Sequence, residues 1–392
     1  MIRLFLFFLF LLSVGFSKPL ELEINAKNAI LINAENGAVL FEKKADTQIF
    51  PASITKVFSL WYILEKHIND LNSSTLASSH ALKVVTPEKK QMNKSLPPYI
   101  LETDGTTFNV LENENLKLSD LLYGMMVRSG NDASNMAAEA TAGSVETFME
   151  NLNIFINEKG CKDTHLCNPH GLHIQDHIST AKDISYMLKQ ALTTPKFLDY
   201  FSTKFYVRPK TNKQAKKELI TFNELLKPGK FYYKDVIGAK TGYHGKARYN
   251  LVSVANKGDR SLIAVVLGTS NSDNRYLDTI KLFESAFSEN KEIKQVMSKD
   301  KVFKAKIPKA SKILKTKLKE DIDLEYYPAE EGQIKGFIFW DDVKAPIKKG
   351  QKVASLVIKT ENDEILKEKS LYAQDNIRRS FLVALKEFFI KD

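Results

Sequence analysis

Residues 51–64, Pro51-Ala52-Ser53-Ile54-Thr55-Lys56-Val57-Phe58-Ser59-Leu60-Trp61-Tyr62-Ile63-Leu64, decide how the chain is read. Val57, Leu60, Trp61 and Leu64 recur at helical spacing, and proline is tolerated in a first helical turn, so a buried helix begins near Ser53. Lys56 lies three residues on, roughly one turn later and on the same face, where its amine can reach the serine hydroxyl. In a desolvated pocket, or beside a second cation, a lysine loses part of its preference for the proton and can act as a base. Ser53 and Lys56 are therefore a candidate nucleophile and base.

Ser-x-x-Lys is cheap alone, since it recurs at Ser179/Lys182, Ser288/Lys291 and Ser298/Lys301. Two more strings, in order, give it weight. Ser129-Gly130-Asn131 falls between two helical patterns. One carries Leu121, Leu122, Met125 and Met126 with Ser119 placed to cap it, and the other starts at Asp132 and runs to Ala142. A glycine at that connection allows a tight turn, so a hydroxyl and an amide can face one cleft. Lys240-Thr241-Gly242 occurs once, at the end of a segment from Val236, ahead of strand-like runs Tyr249 to Ala255 and Ser261 to Leu267. A cation and a hydroxyl on an edge strand, followed by a glycine that permits close backbone approach, make a dock for an extended peptide and its terminal carboxylate. The tripeptide Ser272-Asp273-Asn274 stands after Lys-Thr-Gly, out of order, and reads as a coincidence in a polar loop.

With these three strings the chain resembles the penicillin-binding protein and serine beta-lactamase superfamily. Within it, the chain is most similar to the low-molecular-mass D-alanyl-D-alanine carboxypeptidases, the peptidase S11-type family. The similarity runs through Ala29 to Lys56 (AILINAENGAVLFEKKADTQIFPASITK), Asp163 to Leu172 (DTHLCNPHGL), Thr221-Phe222-Asn223 and the strands after Lys-Thr-Gly. It covers residues 25–285 and continues more weakly beyond.

The resemblance implies an α+β (α/β) serine beta-lactamase/transpeptidase-like domain, with an antiparallel sheet flanked by helices and an all-helical subdomain. It also implies roles. Ser53 is the acylated nucleophile, Lys56 its base, and Ser129 the relay that protonates the leaving D-alanine. Asn131 holds the substrate's peptide group, and Lys240, Thr241 and Gly242 dock the carboxylate end. Arg275, 25 residues past Asn250, is expected to bind the carboxylate. The oxyanion falls to the backbone N–H groups of Ser53 and Tyr243, donors fixed where charge develops. No metal or organic cofactor is implied, and the expected ligands are peptidoglycan stem peptides and beta-lactams. Tyr243 departs from the histidine that several carboxypeptidases carry there, and Cys161 and Cys167 fall where aliphatic residues are expected.

Three rival functions remain on the sequence. A DD-endopeptidase acting on cross-links cleaves a bond to the same D-alanine carbonyl and differs in the leaving group. A secreted beta-lactamase commonly carries Ser-Asp-Asn in its middle string. A catalytically silent penicillin-binding or wall-sensing protein keeps the pocket without turnover, against which stands the presence of all the catalytic residue types.

Around this core, Met1-Ile2-Arg3, the apolar Leu4 to Leu12 and small residues to Ser17 read as a signal peptide over 1–17. An exported protein at the periplasmic face of the cytoplasmic membrane is expected. The remaining length suggests two domains, residues 18–295 and a small all-β domain over 296–375, with lysine-rich Lys291 to Lys301 as linker. Ile377, Phe381, Ala384, Leu385, Phe388 and Phe389 form one helical stripe flanked by Arg378, Arg379, Lys386 and Lys391, so 376–392 reads as an amphipathic helix on the membrane's outer leaflet. The formal charge of +10 fits anionic lipid and wall polymers. Nucleic acid is disfavoured by the export signal and the lack of a basic-aromatic binding motif. The two cysteines leave a disulfide open. His165, His170, His173 and His177 crowd the same segment and invite zinc, but their spacing is not that of a closed site.

Overall fold

The computed structural model describes residues 8–11, 18–330, 332–361 and 363–381 of the 392-residue chain. The chain divides into two compact units: Leu20–Ser288, and Glu289 onward together with the segment before Leu20.

The first unit is built on a five-stranded antiparallel sheet. Its strands are β1 (Asn28–Asn33), β2 (Val39–Lys43), β3 (Val236–His244), β4 (Arg248–Lys257) and β5 (Arg260–Thr269), in the order β3-β4-β5-β1-β2. The long stretch between Lys43 and Val236 separates the hairpin β1–β2 from the other three strands, and the sheet's two edges are β2 and β3, the latter carrying Lys240-Thr241-Gly242. Central β5 is buried on both faces. Ile263, Val265 and Leu267 enter the main core, while the alternate residues Leu262, Ala264 and Val266 are buried on the opposite side.

Helices supply the cover. α1 (Thr55–His67) is buried from Thr55 to Leu64, all round, as a helix in the middle of a core must be. It meets α2 (Leu118–Val127), α3 (Asn131–Ala142), α4 (Val145–Glu158) and α5 (Ala181–Ala191). Edge-to-face aromatic pairs, Trp61 with Phe155 at 4.7 Å and Tyr62 with Phe148 at 5.2 Å, fix α1 against α4. α5 packs on β1 and β5, and α6 (Ser272–Phe287) packs on β4 and β5. Helix α2 opens at Leu118 after extended Lys117, so Ser119 is not its cap. The strand Asn115–Lys117, paired with Ser74–Leu76, fixes that start instead.

The second unit is all-β. Its sheet runs in the order 8–11, Ile334–Trp340, Lys352–Thr360, Ile365–Ala373, Leu314–Lys317, Phe303–Ala305. Met297, Phe303, Ile322, Ile338, Leu356, Ile358 and Leu371 form one core cluster. Two sequence expectations need correction here. The lysine-rich segment read as a linker contains the strand Glu292–Met297, paired with Ile322–Tyr326, because an edge ribbon tolerates outward lysines while Met297 turns into the core. Ile377, assigned to a membrane-facing stripe, is 1% exposed and bridges to Ile347 in a cluster with Leu314 and Val353. Phe381 of the same stripe is exposed, and residues 382–392, which carry the other four, lie outside the described residues. So do 1–7 and 12–17 of the expected leader, whose residues Phe8–Leu11 pair with the strand Ile334–Trp340.

Candidate active site

The nucleophile candidate sits in a single turn of 3-10 helix, Ala52–Ile54, that leads into α1. Ala52 has φ of 49°, a left-handed conformation that costs a residue with a side chain about 1 kcal/mol or more. Contacts from three directions hold it. Asn250, fully buried on β4, donates through Nδ2 to the carbonyls of Phe50 and Pro51 at 2.9 and 3.2 Å, and accepts from the Gly268 N–H. Gly242 of β3 lies so close that a Cβ there would stand 2.8 Å from the Pro51 carbonyl and 3.2 Å from the Ser53 nitrogen. Gly171, with φ of 91°, leaves even less room, since a Cβ would fall 1.9 Å from the Ala52 carbonyl oxygen. The edge strand and the 168–172 loop therefore reach Ser53 through glycines.

Lys56 is 0% exposed, and its Nζ has three neighbours. These are the Ser53 Oγ at 3.0 Å, the Asn131 Oδ1 at 2.7 Å and the His170 carbonyl oxygen at 2.7 Å. Burial, and then the charge of Lys240, push its pKa well below the usual lysine value, against the pull of Asp132. A neutral amine has two hydrogens and one lone pair. Two neighbours can only accept, so the lone pair is left for Ser53, the one neighbour able to donate.

Ser129 has φ of 55° in the turn between α2 and α3. Its Oγ accepts from the Lys240 Nζ at 2.8 Å, and Lys240 also donates to the Thr241 carbonyl at 3.0 Å. Burial, and then Arg275, lower Lys240 to about 7. Asp132 anchors this turn, accepting from the backbone N–H groups of Phe108 and Val110 and from the Thr107 hydroxyl. Arg275 occupies the first turn of α6, its guanidinium 5.5 Å from the Tyr249 ring and 4.8 Å from that of Tyr276. Tyr243, half exposed, leans on Tyr249 with centroids 4.4 Å apart. Ser53, Lys56 and Asn131 thus form one hydrogen-bonded group, and Ser129, Lys240 and Thr241 a second. Gly242 adjoins Ser53, and Arg275 acts on Lys240 through its charge.

The decoy strings are elsewhere. Ser179 bonds Thr164 while Lys182 pairs with Asp46, and Asp273 pairs with exposed Lys230. Cys161 and Cys167 are free thiols. Two of the crowded histidines have both ring nitrogens engaged. His170 accepts from the Leu172 N–H and donates to the Tyr99 carbonyl, and His177 accepts from the Cys167 N–H and donates to the Thr55 hydroxyl. His165 Nδ1 faces the Asp176 carbonyl at 2.9 Å. Burial lowers the pKa of His170, and of His177 to about 3. Four contributors were given no part in the site by the sequence: the His170 carbonyl, Gly171, Asp132 and Asn250. The stretch that holds the first two was noted for its resemblance and its crowded histidines, and a carbonyl leaves no signal in a sequence.

With this geometry in hand, comparison with known proteins is specific. Residues 15–271 match the peptidase S11 family, described as D-alanyl-D-alanine carboxypeptidase. The chain is 32% identical over 371 residues to D-alanyl-D-alanine carboxypeptidase DacF of Bacillus subtilis, covering 93% of this chain and 90% of that one. It is 28% identical over 268 residues to D-alanyl-D-alanine carboxypeptidase DacA of Escherichia coli, covering 68% and 61%. Among solved structures, DacD from Francisella tularensis superposes with a TM-score of 0.63 at 22% identity, covering 93% of this chain and 96% of that one. Penicillin-binding protein 5 from Haemophilus influenzae gives 0.63 at 22% identity, covering 92% and 99%. The chain belongs to the D-alanyl-D-alanine carboxypeptidase family, peptidase S11.

Proposed function

We propose that the chain is a serine-type D-alanyl-D-alanine carboxypeptidase that removes the terminal D-alanine from peptidoglycan pentapeptide stems. The observation that carries this reading is the buried Lys56 amine, whose lone pair is left to Ser53 by two flanking carbonyl oxygens.

Ser53 Oγ attacks the carbonyl carbon between the last two D-alanines, and its proton passes to Lys56 Nζ. The oxyanion is held by the N–H groups of Ser53 and Tyr243. Preorganised donors of this kind are worth about 3–4 kcal/mol each. The C–N bond breaks as Ser129 Oγ delivers a proton to the departing amine, with Lys240 re-supplying Ser129 across 2.8 Å. Thr241, Lys240 and Arg275 hold the D-alanine carboxylate. Exchange with solvent leaves Lys56 neutral and Lys240 protonated again; water then adds to the acyl carbonyl and gives a proton to Lys56, and the ester C–O bond breaks as that proton returns to Ser53 Oγ. A beta-lactam enters by the same attack, which makes the chain a penicillin-binding protein.

Export to the periplasmic face of the cytoplasmic membrane, with attachment through 382–392, belongs to the same proposal and rests on the sequence pattern. Among the described residues no helix is long and apolar enough to cross a membrane. Labelling with a fluorescent penicillin tests the nucleophile. One equivalent binds covalently and the adduct maps to Ser53; an adduct on another residue contradicts the assignment.

A further inference from the structure

Beside the reacting groups lies a shallow, open cleft lined by Met126, Ser129, Phe222, Asn223, Lys240 and Thr241, among others. The roles proposed above for its residues say what part of a substrate would occupy it. Ser129 serves the departing amine, and Lys240 and Thr241 serve the terminal carboxylate. Both groups belong to one residue, the leaving D-amino acid, which the proposed mechanism places beside the space that Phe222 borders.

Two features have no part in the mechanism above. Asn223 is 3% exposed, its Oδ1 accepts from the Leu225 N–H at 3.0 Å, and its Nδ2 is buried with no hydrogen-bond partner. A buried orphan donor costs about 1–3 kcal/mol unless a ligand satisfies it. Phe222 is 45% exposed, yet it is held, because the Arg128 guanidinium lies over its ring at 3.9 Å while its NH1 faces the Ile220 carbonyl at 3.4 Å. Stacking by a planar cation costs an exposed aromatic its freedom to swing away. Arg128 adjoins Ser129 in sequence, so the ring is tied to the same turn as the relay hydroxyl.

We propose that Asn223 and Phe222 form the leaving-residue subsite, with Arg128 as the positioning residue that holds Phe222 in place. Asn223 Nδ2 donates to the leaving residue's carboxylate. The Phe222 ring limits that residue's side chain to about a methyl group, so the chain favours a terminal D-alanine over the larger D-centre that a cross-link would present. This inference rests on the carboxypeptidase reading and deepens it.

The test is a substrate series, diacetyl-L-lysyl-D-alanyl-D-X with X alanine, norvaline or leucine. In the wild type, kcat/KM falls at least about tenfold from alanine to norvaline, the discrimination that a few methylenes command. Phe222→Ala compresses that gap to about threefold or less. Arg128→Ala compresses it partly, and Arg128→Lys, which keeps charge but not the plane, does the same. Asn223→Ala lowers kcat/KM on the alanine substrate about tenfold and removes most of the preference for a free carboxylate over its amide. Fluorescent penicillin acylation and thermal melting confirm that each variant is folded. An unchanged size profile in folded Phe222→Ala, with wild-type release of D-alanine intact, overturns the subsite and leaves the carboxypeptidase standing. No wild-type release from any member of the series overturns both.

Discussion

Gly171 has no room for a side chain against Ala52: a methyl group at its Cα would stand 1.9 Å from the Ala52 carbonyl oxygen. The contact joins a loop to the residue just before the nucleophile candidate, and the neighbouring His170 carbonyl holds Lys56. Gly171→Ala must therefore push the loop away and take the carbonyl with it. Penicillin acylation should fall at least about 100-fold, the scale on which small misplacements of reacting groups act. Labelling kinetics measure it, and acylation within about threefold of wild type would contradict the role.

Asn250, itself fully buried, ties β4 to the same turn with two donated bonds and one accepted bond. Asn250→Ala leaves the carbonyls of Phe50 and Pro51 and the Gly268 N–H without that partner, at a cost of about 2–4 kcal/mol. Urea unfolding followed by tryptophan fluorescence reads the loss, and the acylation rate should fall with it.

The two lysines give the pH profile its shape. Lys56 must be neutral to act as base, and its lowered pKa makes that form accessible, so kcat/KM rises with pH on the acid side. Lys240 must be protonated to hold a carboxylate and re-supply Ser129, so kcat/KM declines as pH rises through about 7. Lys240→Arg keeps its charge at every accessible pH and should lose that descending limb, at a lower maximal rate. A descending limb unchanged in the arginine variant would contradict the assignment.

Stability carries the opposite mark of the same shifts. The folded-state pKa of Lys240, about 7, lies below its unfolded value of 10.5. Between those values the unfolded chain binds more protons, so stability rises with pH across that window. At pH 7 the buried cation is a net cost of a few kcal/mol. Lys240→Met should therefore melt several degrees higher while losing turnover, with the difference shrinking toward pH 10. Melting curves at pH 7 and pH 10 decide it.

The thiols offer a simpler check. Cys161 is buried beside the Asp183 carbonyl, and burial raises its pKa; burial and Asp176 raise that of Cys167 to about 11. Both should react slowly with a disulfide reagent in the folded protein and rapidly once it is unfolded, two equivalents in all. No free thiol after unfolding would mean that they had paired.

The legible part of this site is local in sequence or set by a strand pattern. Ser53 and Lys56 are one helical turn apart, and Lys240 sits on an edge strand because two alternating runs follow it. The illegible part is assembled from a distance. The His170 carbonyl arrives 114 residues after Lys56, and nothing about a carbonyl distinguishes it from its neighbours along the chain. Periodicity also misled at Ile377, since an apolar residue ending a β unit has the same signature as one on an amphipathic helix. At Glu292–Met297 the lysines hid a strand, because charge on an edge looks like charge on a linker.

The most direct measurement is D-alanine release from a synthetic pentapeptide ending in D-alanyl-D-alanine, by the wild type beside Ser53→Ala. Release of many equivalents by the wild type and none by the variant is the expected result. Release that persists in Ser53→Ala, or none from wild-type protein that still binds penicillin covalently, would contradict a serine carboxypeptidase.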